Sequence, residues 1–163
     1  MASTKEKITA TALALFAQRG YDGVSVRDIC KQVGIKESSL YYHFPSKHAI
    51  LTTLLSHFEN RAAEGMAQLE QALGDQQGPW GQVSYRMVCQ AFFEGYLMDP
   101  FCNQVLRLLQ MEQFHNPDLG EIYERWMFRV PLSEERKAAF RQAAYRHVQR
   151  FFQERGTDAW QPS

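Results

Sequence analysis

Apolar residues recur along this chain at steps of three and four, and no stretch alternates residue by residue over the length of a strand, so the pattern predicts helices throughout. The first runs from about Thr4 to Arg19, with Ile8, Ala12, Leu15 and Phe16 on one face and Gly20 ending it. Ser25 is placed to cap a short second helix whose inward stripe is Val26, Ile29, Cys30 and Val33. Gly34 supplies a turn, because a residue without a side chain adopts positive φ readily. A third short helix covers about Lys36 to His43 and is anchored by Leu40. Pro45 then breaks the chain, and Ser46 caps a longer helix carrying Ile50, Leu51, Leu54, Leu55, Phe58 and Ala62, continuing towards Met66 and Leu69.

"GDQQGPWG" (74–81) reads as a loop. Helical patterns follow at about 82–98, 100–115 and 118–129, separated by Asp99-Pro100 and Asn116-Pro117. Beyond Pro131 a single long helix, about Ser133 to Arg155, aligns Phe140, Ala144, His147, Val148, Phe151 and Phe152 on one face, and the tail after it should be frayed. The predicted class is all-α, with a three-helix unit over residues 1–48 and a larger helical part over 49–163.

Composition narrows this picture by exclusion. With 45% hydrophobic and 22% charged residues the chain should fold to a globule, not remain disordered. No apolar run approaches the roughly 18 residues of a membrane span. The start, "MASTKEKITATALALF", superficially resembles a signal peptide, but its apolar residues keep helical spacing and "AQRG" offers no small-residue cleavage site, so a mature cytoplasmic start is expected. Cys30, Cys89 and Cys102 are odd in number and widely spaced, which argues against a disulfide framework or a zinc cluster. They read as small buried apolar residues, a redox-sensing thiol being the alternative.

The net charge of zero at first speaks against a nucleic-acid partner. Its distribution speaks differently. Residues 1–48 carry seven Lys/Arg against four acids, residues 49–132 five against ten, and residues 133–163 six against four. A basic front and an acidic middle suit different partners.

Three short helices with a Gly turn between the second and third have the shape of a helix-turn-helix. In that frame Ser25 and Arg27, at the start of the second helix, can donate to phosphate oxygens. Lys36, Glu37, Ser38 and Ser39 open the third helix, where base edges of a major groove would be read. Tyr41, Tyr42 and His43 follow, with phenol and imidazole groups for phosphates or a thymine methyl, and Lys47 stands ready for another phosphate. Each has a plain structural alternative: Ser25 as cap, the rings as packing, the lysines as solvated surface.

Residues 8–51 resemble the DNA-binding region of the tetracycline-repressor (TetR) family of bacterial transcription regulators. The resemblance lies in Ala14-Leu15-Phe16, Gly20-Tyr21, Ser25-Val26, Ile29, Val33-Gly34-Ile35, Leu40-Tyr41, His43-Phe44, Lys47 and Leu51. It implies an all-α homodimer that binds a palindromic operator in double-stranded DNA, most simply a repressor. It also implies a C-terminal domain that binds a small molecule and then releases the DNA, with no cofactor and no membrane. Ser25, Arg27, Lys36, Ser38, Ser39, Tyr41, Tyr42, His43 and Lys47 match positions that the family often places on DNA. Glu37 departs from the basic or small residue common there, and would accept from a cytosine amino group or repel a phosphate. Ser38 replaces a frequent Gly or Pro.

Beyond residue 60 the resemblance is architectural. It implies a ligand cavity, for which Met66, Met87, Phe93, Tyr96 and Leu108 are candidate lining, with Met111, Phe114, Tyr123 and Trp126. Plain core is the alternative for each. It also implies that the face Phe140, Ala144, His147, Val148, Phe151 and Phe152 pairs with its copy. The helix that usually precedes the last one is missing near Leu132–Ser133, as a natural deletion or a segment absent from this sequence. The acidic middle fits a cationic ligand or a solvated face equally well.

Two other classes stay open. Glu112-x-x-His115 has the spacing of a helical-bundle metal ligand pair, although no second such pair occurs. A protein–protein adaptor that keeps the fold without binding DNA draws support from Glu37 and the zero net charge. No nucleophile, base and orienting group assemble for hydrolytic or transfer chemistry.

Overall fold

The computed structural model describes residues 2–74 and 97–130, together with Glu94 and Ala138. Its order is α1 (Thr4–Arg19), α2 (Val26–Val33), α3 (Glu37–His43), α4 (Lys47–Gly74), α5 (Pro100–Glu112), α6 (Pro117–Glu124) and a π-helical turn, Arg125–Arg129. The fold is all-α, as the spacing predicts.

The caps explain the boundaries. Ser3 and Glu6 satisfy each other's backbone N–H groups at the start of α1, and Ser25 and Asp28 repeat the arrangement on α2. Gly34 closes α2 in the left-handed conformation at φ 80°. Ser46 Oγ accepts from the Ala49 N–H at 3.1 Å as α4 begins. Asp99 and Asn116 cap α5 and α6, and each is followed by Pro at a helix start, where its missing N–H leaves nothing unpaired.

The expected inward stripes hold. Ile8, Ala12, Leu15 and Phe16 of α1, Ile29 and Cys30 of α2, Leu40 of α3, and Ile50, Leu51, Leu54, Phe58, Ala62 and Met66 of α4 are all buried. α1 packs against α2, α4 and α5, and α5 also packs against α4 and α6. The buried residues form one continuous cluster across the 48/49 boundary, adding Cys102, Val105, Leu108 and Leu109 of α5, Leu119 of α6 and Trp126.

Two boundaries differ from expectation. α3 begins at Glu37, with Lys36 extended in front of it. α5 stops at Glu112, three residues short of the predicted 115, because Gln113–His115 turn the chain so that Asn116 can cap α6. The predicted 118–129 helix is likewise two elements, α6 and the π-helical turn. That turn seats Trp126 against Phe58, edge to face at 6.2 Å. Glu59 Oε1 accepts from Trp126 Nε1 at 3.3 Å and from Arg125 at 3.2 Å, tying the turn to α4.

The helices predicted at 82–98 and 133–155, the dimer face from Phe140 to Phe152 and the Leu132–Ser133 junction lie outside the described residues, Leu97, Met98 and the single positions named above aside. Among the described residues no helix is long and apolar enough to cross a membrane.

Candidate nucleic-acid interface

The outer surface of α3 is where a soluble core leaves rings uncovered. Leu40 is its only fully buried residue, while Tyr42 is 86% exposed and Tyr41 49% exposed. Phe44 turns inward at 3%, so the aromatic run divides into one core ring and an exposed pair. His43 is half-buried, and its ring meets that of Tyr42 edge to face at 5.2 Å. Lys36 and Ser38 are exposed beside them, and Ser39 is half-buried.

At the other end of this surface Arg27, in the first turn of α2, reaches across to Glu37, which opens α3. Arg27 Nε donates to Glu37 Oε1 at 3.0 Å. The predicted carboxylate departure is therefore a paired charge. Ser25 is engaged locally: its Oγ accepts from the Asp28 N–H and donates to Asp28 Oδ2 at 2.6 Å. The hydroxyl bond, and then one that the Ser25 N–H donates to the same oxygen, hold the Asp28 carboxyl below the usual range. Capping thus describes Ser25 better than a free phosphate donor.

Lys47, expected at a phosphate, donates its ammonium to the carbonyls of Tyr21 and Val24, each at 2.9 Å. It also lies 4.0 Å from the centre of the Tyr21 ring. Lys47 fastens the start of α4 to the α1–α2 connection. From the other side, Glu112 at the end of α5 accepts from the Tyr21 N–H at 2.8 Å. Both backbone groups of Tyr21 are thus held by charged side chains from later helices, and its phenol is raised above the usual range by burial and then by Asp22.

Residues 8–54 match the bacterial regulatory proteins of the tetR family. The N-terminal unit of this chain is thus similar to that of the TetR family. Over 46 residues it is 54% identical to the biofilm operon icaADBC HTH-type negative transcriptional regulator IcaR of Staphylococcus aureus (strain Newman), covering 28% of this chain and 25% of IcaR. Over 94 residues it is 33% identical to the HTH-type transcriptional regulator YuxN of Bacillus subtilis (strain 168), covering 57% of this chain and 31% of YuxN. The chain therefore matches between a quarter and a third of these relatives' length. In structure it is similar to a proposed TetR-family regulator from Mesorhizobium loti MAFF303099, with a TM-score of 0.57 over 89% of this chain and 69% of that one. At 21% identity that likeness concerns the fold alone.

The residues expected to line a ligand cavity divide. Met66, Leu108 and Trp126 are buried in the common core, and Tyr123 is half-buried with its ring edge to face with Phe128. Met111, in the last turn of α5, is 42% exposed, and Phe114, in the turn after it, is 85% exposed. Met87, Phe93 and Tyr96 lie outside the described residues. An open groove of about 480 Å³ runs along α4 past Ser46, His48, Thr52, Ser56 and His57, and none of the predicted lining residues borders it.

The pairing read from Glu112-x-x-His115 does not form. The helix stops at Glu112, a residue 9% exposed whose carboxylate holds Tyr21. Cys30 and Cys102 are buried, and burial, aided by Asp99, pushes the Cys102 thiol up to about 12. Such a thiol stays protonated and unreactive, so these two cysteines are core residues. Cys89 lies outside the described residues.

What sequence reasoning missed are the long-range polar contacts, Arg27 to Glu37, Lys47 to Tyr21 and Val24, and Glu112 to Tyr21.

Proposed function

We propose that this chain is a DNA-binding transcriptional regulator whose α3 enters the major groove of an operator while α2 lies across the phosphate backbone. The observation that carries this is the uncovered α3 surface, with Tyr42 standing 86% exposed next to Lys36 and Ser38. The surplus of basic residues in 1–48 supplies the sequence-independent attraction. The printed role of IcaR as a negative regulator favours repression. In this reading two copies, joined through Phe140, Ala144, His147, Val148, Phe151 and Phe152, bind a palindrome in the cytoplasm, and a small molecule held near Trp126 and Tyr123 releases them.

The adaptor reading loses ground, since Glu37, its main support, is matched by Arg27. Selection of duplexes from a random pool at two salt concentrations tests the proposal. The expected yield is a palindrome with half-sites about one helical turn or a multiple apart, bound less tightly as salt rises. Absence of enrichment at either salt would return the adaptor to first place.

Tyr42→Ala should weaken binding to the recovered operator about tenfold, the size of one base or backbone contact, with circular dichroism unchanged. Unaltered affinity would show that the docking face lies elsewhere.

A further inference from the structure

An ion pair on open surface contributes about 0–1 kcal/mol to stability, so the bond between Arg27 and Glu37 does little for the fold. Its side chains are 86% and 43% exposed, which puts it in that class. Its location is more informative. It joins the first turn of α2 to the first residue of α3, the two elements that a helix-turn-helix sets on DNA.

The bond uses Arg27 Nε, and among the described residues it leaves the end-on pair of N–H groups, one on each terminal nitrogen, without a protein acceptor. A guanidinium gripped at Nε is a planar fork fixed in direction, not a flexible rod. Two parallel donors at that spacing fit O6 and N7 of guanine, the commonest specific pairing in the major groove. Glu37 also gains a reason to stand on a surface that should repel phosphates: its charge is offset by the residue it orients.

We infer that Glu37 is a positioning residue for Arg27, and that the pair reads a guanine in each operator half-site. This rests on the proposed docking of α3. Glu37 itself touches no base; it narrows the directions open to the Arg27 fork.

The test is the duplex selection, run in parallel on the unchanged protein, Arg27→Ala, Glu37→Ala and Glu37→Gln. The unchanged protein should prefer guanine at one position per half-site by about 5- to 100-fold, the discrimination expected of a bidentate pair. Arg27→Ala should abolish that preference. Glu37→Ala should weaken it at the same position and nowhere else, Glu37→Gln falling between because it keeps an acceptor without the charge. Melting of both Glu37 variants should stay within about 4 °C of the unchanged protein. A Glu37→Ala profile identical to the unchanged one overturns the inference. So does a change at a position that Arg27→Ala leaves alone, since Glu37 would then read a base directly. An Arg27→Ala effect equal on all sequences would make Arg27 a phosphate ligand, and overturns it too. If the unchanged protein enriches no motif, the docking itself fails, which is a separate result, and the inference falls with it.

Discussion

Gly20→Ala should lower the melting midpoint by on the order of 10 °C, from about 1–3 kcal/mol of backbone strain and a similar loss at the neighbouring hydrogen bond. Gly20 sits at φ 74° and ψ 168°, outside the left-handed well that Asn or Asp can visit and in a region open essentially to Gly alone. A Cβ there would also meet Glu112 Oε1 at 2.7 Å, closer than real contacts allow. That oxygen is the acceptor for the Tyr21 N–H, so the methyl must expel the carboxylate from its place. The N–H is then left without a partner and a buried charge without its donor, both unfavourable in a site so poorly hydrated. Melting of Gly20→Ala, Glu112→Ala and the double variant separates the two parts. If clash and lost hydrogen bond contribute, the double variant falls by less than the sum of the singles. A Gly20→Ala protein melting with the unchanged one would mean that the backbone here is not held as described.

The same corner shows what could be read from the chain and what could not. Helix ends were legible because their causes are local: Gly20 and Gly34 as stops, Ser25 and Ser46 as caps, prolines opening α5 and α6. The inward stripes were legible for the same reason, since Ile8, Ala12, Leu15 and Phe16 announce their face by spacing alone. The candidate interface was legible in part: Tyr41 and Tyr42 stand exposed on α3, where the sequence placed them. Glu112 holding Tyr21 spans 91 positions, and nothing in either neighbourhood marks the other. Phe114 was placed on a helix for a related reason. A period of 3.6 was extended past Glu112, although Asn116-Pro117 already required a turn before the next helix.

Lys47→Ala is the second large effect, and its direction differs from the one that a phosphate ligand would give. Loss of two charge-assisted hydrogen bonds and a cation–π contact should destabilise the protein by about 2–3 kcal/mol, after allowance for the half-exposed ammonium. The Tyr21 and Val24 carbonyls would be left to water, and the α1–α2 connection would lose its hold on the start of α4. Operator affinity should fall as well, because α2 and α3 are oriented through that connection. The slope of log affinity against log salt separates the two roles. A phosphate ligand carries about one counterion release, so its removal lowers the slope by about one and leaves melting unchanged. A clamp does the reverse: the midpoint falls and the slope holds. Lys47→Met, which keeps the stem beside the Tyr21 ring and drops the charge, should behave like Lys47→Ala in melting if the carbonyl bonds dominate. Unchanged melting in both variants with a shallower salt slope would assign Lys47 to the phosphate backbone and leave Glu112, among the described residues, as the charged side chain that holds Tyr21.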